Sequence, residues 1–285
     1  MVKRGGNQGL LYILPGFAGL CVFYIIPFVI SLGYVFGRGN GETGRIGTEN
    51  FKDLLGNPAF QLAAKNTLVF TLLAVPLLTL GALFLAMFLG QKQSPLVQSA
   101  LFTPMILPVA SALLGWQGIF GPGGLLGKGV EALGGTGENY LEDPWARYVL
   151  LFLFFIKNLG YMTLIFTGAI GNMKKEYREA FLLDSDSLVK YTFRVAVPIL
   201  APVLFFVMVL STVNCFQIFR EVSGLYGDYP PESLYMLQNF MNNNFEKLNY
   251  SRLCTASFLL TMGVALLVSL YLWAQHRSEK GESGL

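Results

Sequence analysis

The sequence predicts an all-α integral membrane protein with six transmembrane helices, and three observations carry the prediction. Of its 285 residues 53% are apolar and 13% charged, against about 25% charged in an ordinary soluble domain. Six long apolar runs divide the chain, at 10–36, 66–90, 96–120, 148–170, 195–219 and 253–274, each long enough to cross a bilayer core that needs about 20 residues of helix. Five of the six contain no Asp, Glu, Lys or Arg, and the exception holds Lys157. Hydrocarbon offers no water to open amides, so each run must satisfy its own backbone as a helix.

The first run follows Lys3 and Arg4 and extends from Leu10 to Phe36 with no polar boundary after Gly19 or Ser31. A signal-peptide core has about 7–15 apolar residues, so this run is expected to remain as the first transmembrane helix. Pro15, Pro27, Pro76, Pro104, Pro108, Pro198 and Pro202 lie within or at the ends of the runs. Each removes a backbone donor and tends to kink its helix, although membrane helices tolerate proline.

External loops are expected at 37–65, 121–147 and 220–252. The second is glycine-rich and contains Gly127-Lys128. A phosphate-cradling loop would follow a strand and place glycine at 122 and a hydroxyl at 129, where this chain has Pro122 and Gly129. The chain is therefore not expected to bind ATP itself. Trp116 and Trp145 near the outer boundary read as interfacial anchors. Asn249-Tyr250-Ser251 matches a glycosylation acceptor, a pattern common by chance, and receives no role.

An even number of spans puts both termini on one side. That side holds Lys3, Arg4, Lys92, Lys174, Lys175, Arg178, Lys190, Arg194, Arg277 and Lys280, ten of twenty basic residues in about 50 positions, against nine in about 85 on the other. Both termini are accordingly expected in the cytoplasm, and 1–285 reads as one transmembrane domain. The net charge of +3 calls for no nucleic-acid partner. Cys21, Cys215 and Cys254 sit in or beside apolar runs, and His276 is the sole histidine. A histidine-based metal or catalytic centre cannot be built from this chain alone, so neither metal ligand nor catalytic residue is expected.

The segment 171–194, between the fourth and fifth spans, is the longest cytoplasmic loop and the only one dense in charges of both signs. Tyr177, Ala180, Phe181 and Leu183 recur at helical spacing among Lys175, Glu176, Arg178 and Glu179, predicting a short amphipathic helix. Asp184-Ser185-Asp186-Ser187 supplies oxygens to turn the chain and cap a second helix. That helix runs through Val189, Thr192 and Phe193 toward Pro198, so the pair forms a knob projecting from the membrane.

Glu179-Ala180-Phe181, then Asp184, then Val195-Ala196-Val197-Pro198-Ile199-Leu200, with Pro198 nineteen positions after Glu179, resembles the EAA loop of ABC importer permeases. In that family the loop begins Glu-Ala-Ala, continues to Asp-Gly and ends near Ile-x-Leu-Pro. The resemblance covers most of the chain and is closest to the carbohydrate-uptake, maltose-type branch, through Lys65-Asn66-Thr67, Pro108 to Trp116 with Phe120, and Phe216-Gln217-Ile218-Phe219. It implies a type I importer permease in the bacterial cytoplasmic membrane, with a second and usually non-identical permease, a cytoplasmic ATPase dimer and an extracytoplasmic binding protein. It also implies a division of chemistry: no cofactor on this chain, ATP and magnesium on the ATPases. Glu179, Ala180, Phe181, Asp184, Ser185 and Pro198 are then the coupling residues, driven as a lever by ATPase closure. Two departures stand out. Ser185 and Asp186 replace a glycine and a small residue, so a glycine-only turn conformation is less accessible. Gly227-Asp228-Tyr229-Pro230 replaces the family's Gly-Gly-Pro, where binding-protein contacts would lie.

Lys157 is the leading residue outside the loop, because an ammonium in hydrocarbon costs several kcal/mol and faces either a cavity or a partner. Facing the pathway, it favours an anionic or strongly hydroxylated solute; the other reading is an ion pair or hydrogen bond to a neighbouring helix. Sugars are bound by aromatic faces together with amides and hydroxyls, a mixture present in Asn158, Tyr161, Asn214, Phe216, Gln217 and Phe219. With 24 phenylalanines in the chain, packing is the commoner use of any one aromatic. The expected function is a permease subunit for a sugar or oligosaccharide; the alternatives are a permease for a non-sugar or anionic solute, an ion-coupled secondary transporter, and an integral membrane enzyme.

Overall fold

The structure is a computed structural model that describes residues 6–37, 47–90 and 95–282. Lys3, Arg4 and Lys92 of the charge count lie outside the described residues, as does the Lys280 side chain. Among the described residues every regular element is helical. In chain order they are α1 (Gly6–Leu20), α2 (Ile26–Phe36), α3 (Glu49–Leu55), α4 (Pro58–Leu89), α5 (Pro95–Ile106), α6 (Val109–Phe120), α7 (Leu125–Ala132) and α8 (Ala146–Gly171). There follow α9 (Lys175–Leu182), α10 (Leu188–Tyr191), α11 (Val197–Ile199), α12 (Ala201–Gln217), α13 (Phe219–Tyr226), α14 (Leu237–Glu246) and α15 (Tyr250–Glu282).

Five helical stretches are long and apolar enough to cross a membrane: Tyr12–Phe36, Pro58–Leu89, Ala146–Gly171, Ala201–Tyr226 and Tyr250–Arg277. Ser99–Ile106 and Val109–Ala132 make a sixth if the two halves form one span, and they meet at 98°. The observed class is the all-α membrane class expected from composition, and the third apolar run, expected as one span containing kink-prone prolines, is broken into two helices. Pro108 lies at the break with φ −57 and ψ 136. A proline lacks the amide that would continue the helix and pushes the preceding residue out of the helical region.

Two other prolines act more gently. Before Pro27 the chain widens into a π turn at Cys21–Ile25, and the Ile26 amide donates to the Cys21 carbonyl. Before Pro198 a π turn at Thr192–Ala196 does the same, with the Val197 amide donating to Thr192. Each turn admits one extra residue where a proline ring would otherwise press on the preceding turn. Pro76 is passed without interruption inside α4.

The expected external loops contain helices. α3 and the first turns of α4 lie in 37–65, α7 in 121–147, and α13 and α14 in 220–252. Charged and amide residues hid them. α13 buries Glu221 and Val222 together, and α14 buries Asn239, Phe240 and Met241.

The helices pack into two compact units. One is the chain up to Gln61 with Phe240–Gly263. There Phe36, Phe51 and Phe258 form a triangle of rings with centroids 5.7, 5.7 and 6.1 Å apart. Asn50 Nδ2 donates to the carbonyls of Tyr34, Val35 and Gly37. The other unit is Leu62–Asn239 with the chain from Val264 onward. Its core joins Leu78 and Leu83 of α4, Phe154, Met162 and Phe166 of α8, and Val207 of α12. α5 crosses α8 at Gly160, where an added Cβ would lie 1.8 Å from the Leu101 carbonyl oxygen. Only a residue without a side chain permits that approach.

Candidate functional site

The segment after α8 folds as two short helices. Lys174 is extended, and α9 begins at the next residue. α9 ends as the Asp184 and Ser185 amides both donate to the Phe181 carbonyl at 3.0 Å. Ser185 Oγ accepts from the Ser187 amide at 3.3 Å, and Ser187 Oγ accepts from the Lys190 amide at 3.4 Å, capping α10. Leu248 is the one non-glycine residue with positive φ among the described residues, so the turn at Ser185 uses no glycine-only conformation. Serine there supplies an acceptor that glycine would lack.

The pair is anchored on one side and bare on the other. Phe181 packs on Tyr191, ring centroids 5.4 Å apart, and Phe193 meets Phe84 of α4 edge-on at 5.7 Å. Burial pushes the Tyr191 hydroxyl above the ordinary tyrosine pKa, opposed by the Arg178 guanidinium. Glu179, Ala180 and Asp184 are exposed and Ser185 is half-buried. The apolar stripe of α9 is mostly uncovered: Tyr177 is 45% and Leu183 92% exposed, and Val189 of the next helix is 55% exposed. Phe181 alone of the expected stripe packs inward. These apolar side chains stand open on an element outside the stretches long and apolar enough to cross a membrane. Pro198 is exposed and directs the chain from the π turn through α11 into α12.

A second constellation lies between α8 and the α12–α13 pair. The Lys157 ammonium donates to Glu221 Oε1 as an ion pair. One residue along, Asn158 Oδ1 accepts from Asn214 Nδ2 at 3.0 Å, while Asn158 Nδ2 donates to the Phe154 carbonyl at 2.8 Å. Of the two readings of Lys157, the structure supplies the ion pair, yet the lysine side chain keeps 32% of its surface open. Glu221 is 5% exposed, and its Oε2 is buried without a hydrogen-bond partner. The other predicted residues stand apart from this cluster. Tyr161 packs against the main core, Phe216 and Phe219 are half-buried, and Gln217 is exposed.

Glu221 was missed in the sequence because it lies beyond the fifth apolar run. Its position seven residues after Asn214, two helical turns on, is the available signal, since it continues that face of the helix into α13. Asn66 and Thr67 also gain a concrete role. Asn66 Nδ2 donates to the carbonyls of Glu232 and Tyr235 at 2.6 and 3.0 Å, and its Oδ1 accepts from Arg147 at 3.1 Å. Thr67 Oγ1 accepts from the Leu237 amide at 2.9 Å. The first third of α4 thereby holds the segment 232–237.

A scan against protein-family models returned no match. The lactose transport system permease protein LacF of Rhizobium radiobacter is 30% identical over 283 residues, covering 94% of this chain and 93% of the relative. The probable ABC transporter permease protein YesP of Bacillus subtilis is 27% identical over 297 residues, covering 98% and 95%. Among solved structures, a bacterial alginate ABC transporter in complex with an alginate pentasaccharide-bound periplasmic protein has a chain that superimposes with a TM-score of 0.77. It is 17% identical, and the match covers 93% of each chain.

Proposed function

This chain belongs to the permease family of sugar-importing ABC transporters, and on that footing we propose that it lines half of a pathway for a polyhydroxylated solute and is moved by an ATPase docked on α9 and α10. The observation that carries the proposal is the open apolar stripe of that helix pair, Tyr177, Leu183 and Val189 beside Glu179. A partner burying those side chains gains a hydrophobic contact and a charge to orient it. The anchor of Phe181 on Tyr191 and of Phe193 on Phe84 passes displacement of the knob to α4 and α12. A lever of this kind switches a bundle between two rigid arrangements.

The pathway surface is assigned to Lys157, Asn158 and Asn214, with Glu221 behind them. Glu221 cancels the charge of Lys157, and the amides supply donors and acceptors for hydroxyls, which supports an uncharged saccharide. Tyr161, Phe216, Gln217 and Phe219 stay as candidates for the same pathway. A second permease completes the pathway, and an extracytoplasmic binding protein delivers the solute, a reading supported by the alginate pentasaccharide-bound periplasmic protein held in the alginate transporter complex. The knob and both termini are placed in the cytoplasm. ATP and magnesium are placed on the ATPases, a reading supported by Gly127-Lys128 lying inside α7 and not in a loop after a strand.

The test is reconstitution. Membranes bearing this chain and its partners are expected to take up the solute only with ATP and the binding protein, with vanadate sensitivity and a copurifying ATPase. Uptake driven by an ion gradient, without ATP, would contradict the assignment.

A further inference from the structure

A cavity of about 500 Å³ opens where α9 meets the ends of α4 and α8. Met87, Leu89, Ile170 and Met173 give it an apolar wall, and Lys174, Lys175 and Arg178 line it with three cations against one acid, Glu179. None of the three cations is ion-paired among the described residues. A cavity in the roughly 300–1,000 Å³ class holds a small molecule and is far larger than one phosphate ion requires. The cavity also sits at a definite depth. α4 and α8 are long and apolar enough to cross a membrane and finish at Leu89 and Gly171, so with these helices in a bilayer the cations stand at the level of lipid headgroups, beside the apolar wall. A phosphate-bearing amphiphile matches both halves, because basic pockets between the ends of transmembrane helices suit anionic headgroups.

We propose that this cavity binds the headgroup of an anionic phospholipid, with Lys174, Lys175 and Arg178 around the phosphate and Met87, Leu89, Ile170 and Met173 along the glycerol and first methylenes. The bound lipid fills the space behind α9 and braces it from the membrane side, leaving the open stripe of Tyr177 and Leu183 for the ATPase. The site goes beyond the transport reading and needs from it only that these helices span a bilayer.

Native mass spectrometry of the full chain, extracted from mixed phosphatidylglycerol and phosphatidylcholine membranes, reads the retained lipid directly. Wild type is expected to retain phosphatidylglycerol in excess. Arg178→Gln should lower the excess about fivefold, corresponding to about 1 kcal/mol for one cation at an anionic surface, and Lys174→Gln/Lys175→Gln/Arg178→Gln should abolish it. Retention unchanged in the triple variant would overturn the site. If that variant does not fold, photocrosslinking of wild type with a diazirine-bearing phosphatidylglycerol decides: adducts are expected on the peptides containing Leu89 and Met173, and adducts spread evenly over the bundle would overturn the proposal. Inorganic phosphate is the third arm, and suppression of the adducts by it would reassign the cavity to a free anion and overturn the lipid. None of these readouts uses transport, so failure of the coupling reading leaves them standing.

Discussion

Lys157 and Glu221 carry opposite charges between membrane-crossing helices, where stranding either one is costly. Lys157→Met is predicted to leave the Glu221 carboxylate buried and alone, destabilising the chain by roughly 3 kcal/mol and lowering uptake. Lys157→Met/Glu221→Gln should recover to within about 1 kcal/mol of wild type, because the two charges leave together. Unfolding of the purified variants measures both, and a double variant no better than the single one would show that the pair does not compensate. Ser185→Gly should leave coupled transport intact, since the turn needs no positive φ; loss of coupling in that variant would mean the Ser185 oxygen does more than receive the Ser187 amide. The lysine was legible in the sequence as the sole charge within an apolar run. Its partner was not, because Glu221 sits among Arg220, Ser223 and Gly224 and becomes a helix residue only through packing of α13.

At the scale of elements, α5 and α8 depend on the absence of a side chain at Gly160. Gly160→Val is predicted to force the helices apart, with a loss of several kcal/mol or failure to assemble. Gly168→Ala in the same helix should be tolerated, since nothing lies within 4 Å of its added Cβ. Thermal melts of the two variants in detergent compare them, and equal melting would remove the crossing from the account. The helices themselves were legible from uninterrupted apolar length, a bilayer constraint acting on every residue. Their bends were only partly so: Pro27, Pro76, Pro108 and Pro198 look alike in sequence, yet yield a π turn, an unbroken helix, a 98° break and another π turn. Tertiary neighbours choose among those outcomes. α14 was hidden for another reason: its buried Asn239, Asn243 and Asn244 read as loop until their amides are placed in a packed helix.

For the whole molecule, the α9–α10 pair is the proposed handle by which a partner moves the bundle. The turn and cap were legible in Asp184 to Ser187, because capping is local chemistry. The open stripe was not, since period alone cannot say whether Tyr177 and Leu183 face their own bundle or another protein. The central claim is tested most directly by Glu179→Lys, which reverses one charge on an exposed helix without disturbing Phe181 or Tyr191. Coupled transport and ATPase association are measured together in reconstituted membranes. The prediction is normal insertion with the ATPase lost, or retained but hydrolysing without transport; undiminished coupled transport with the ATPase bound would contradict it.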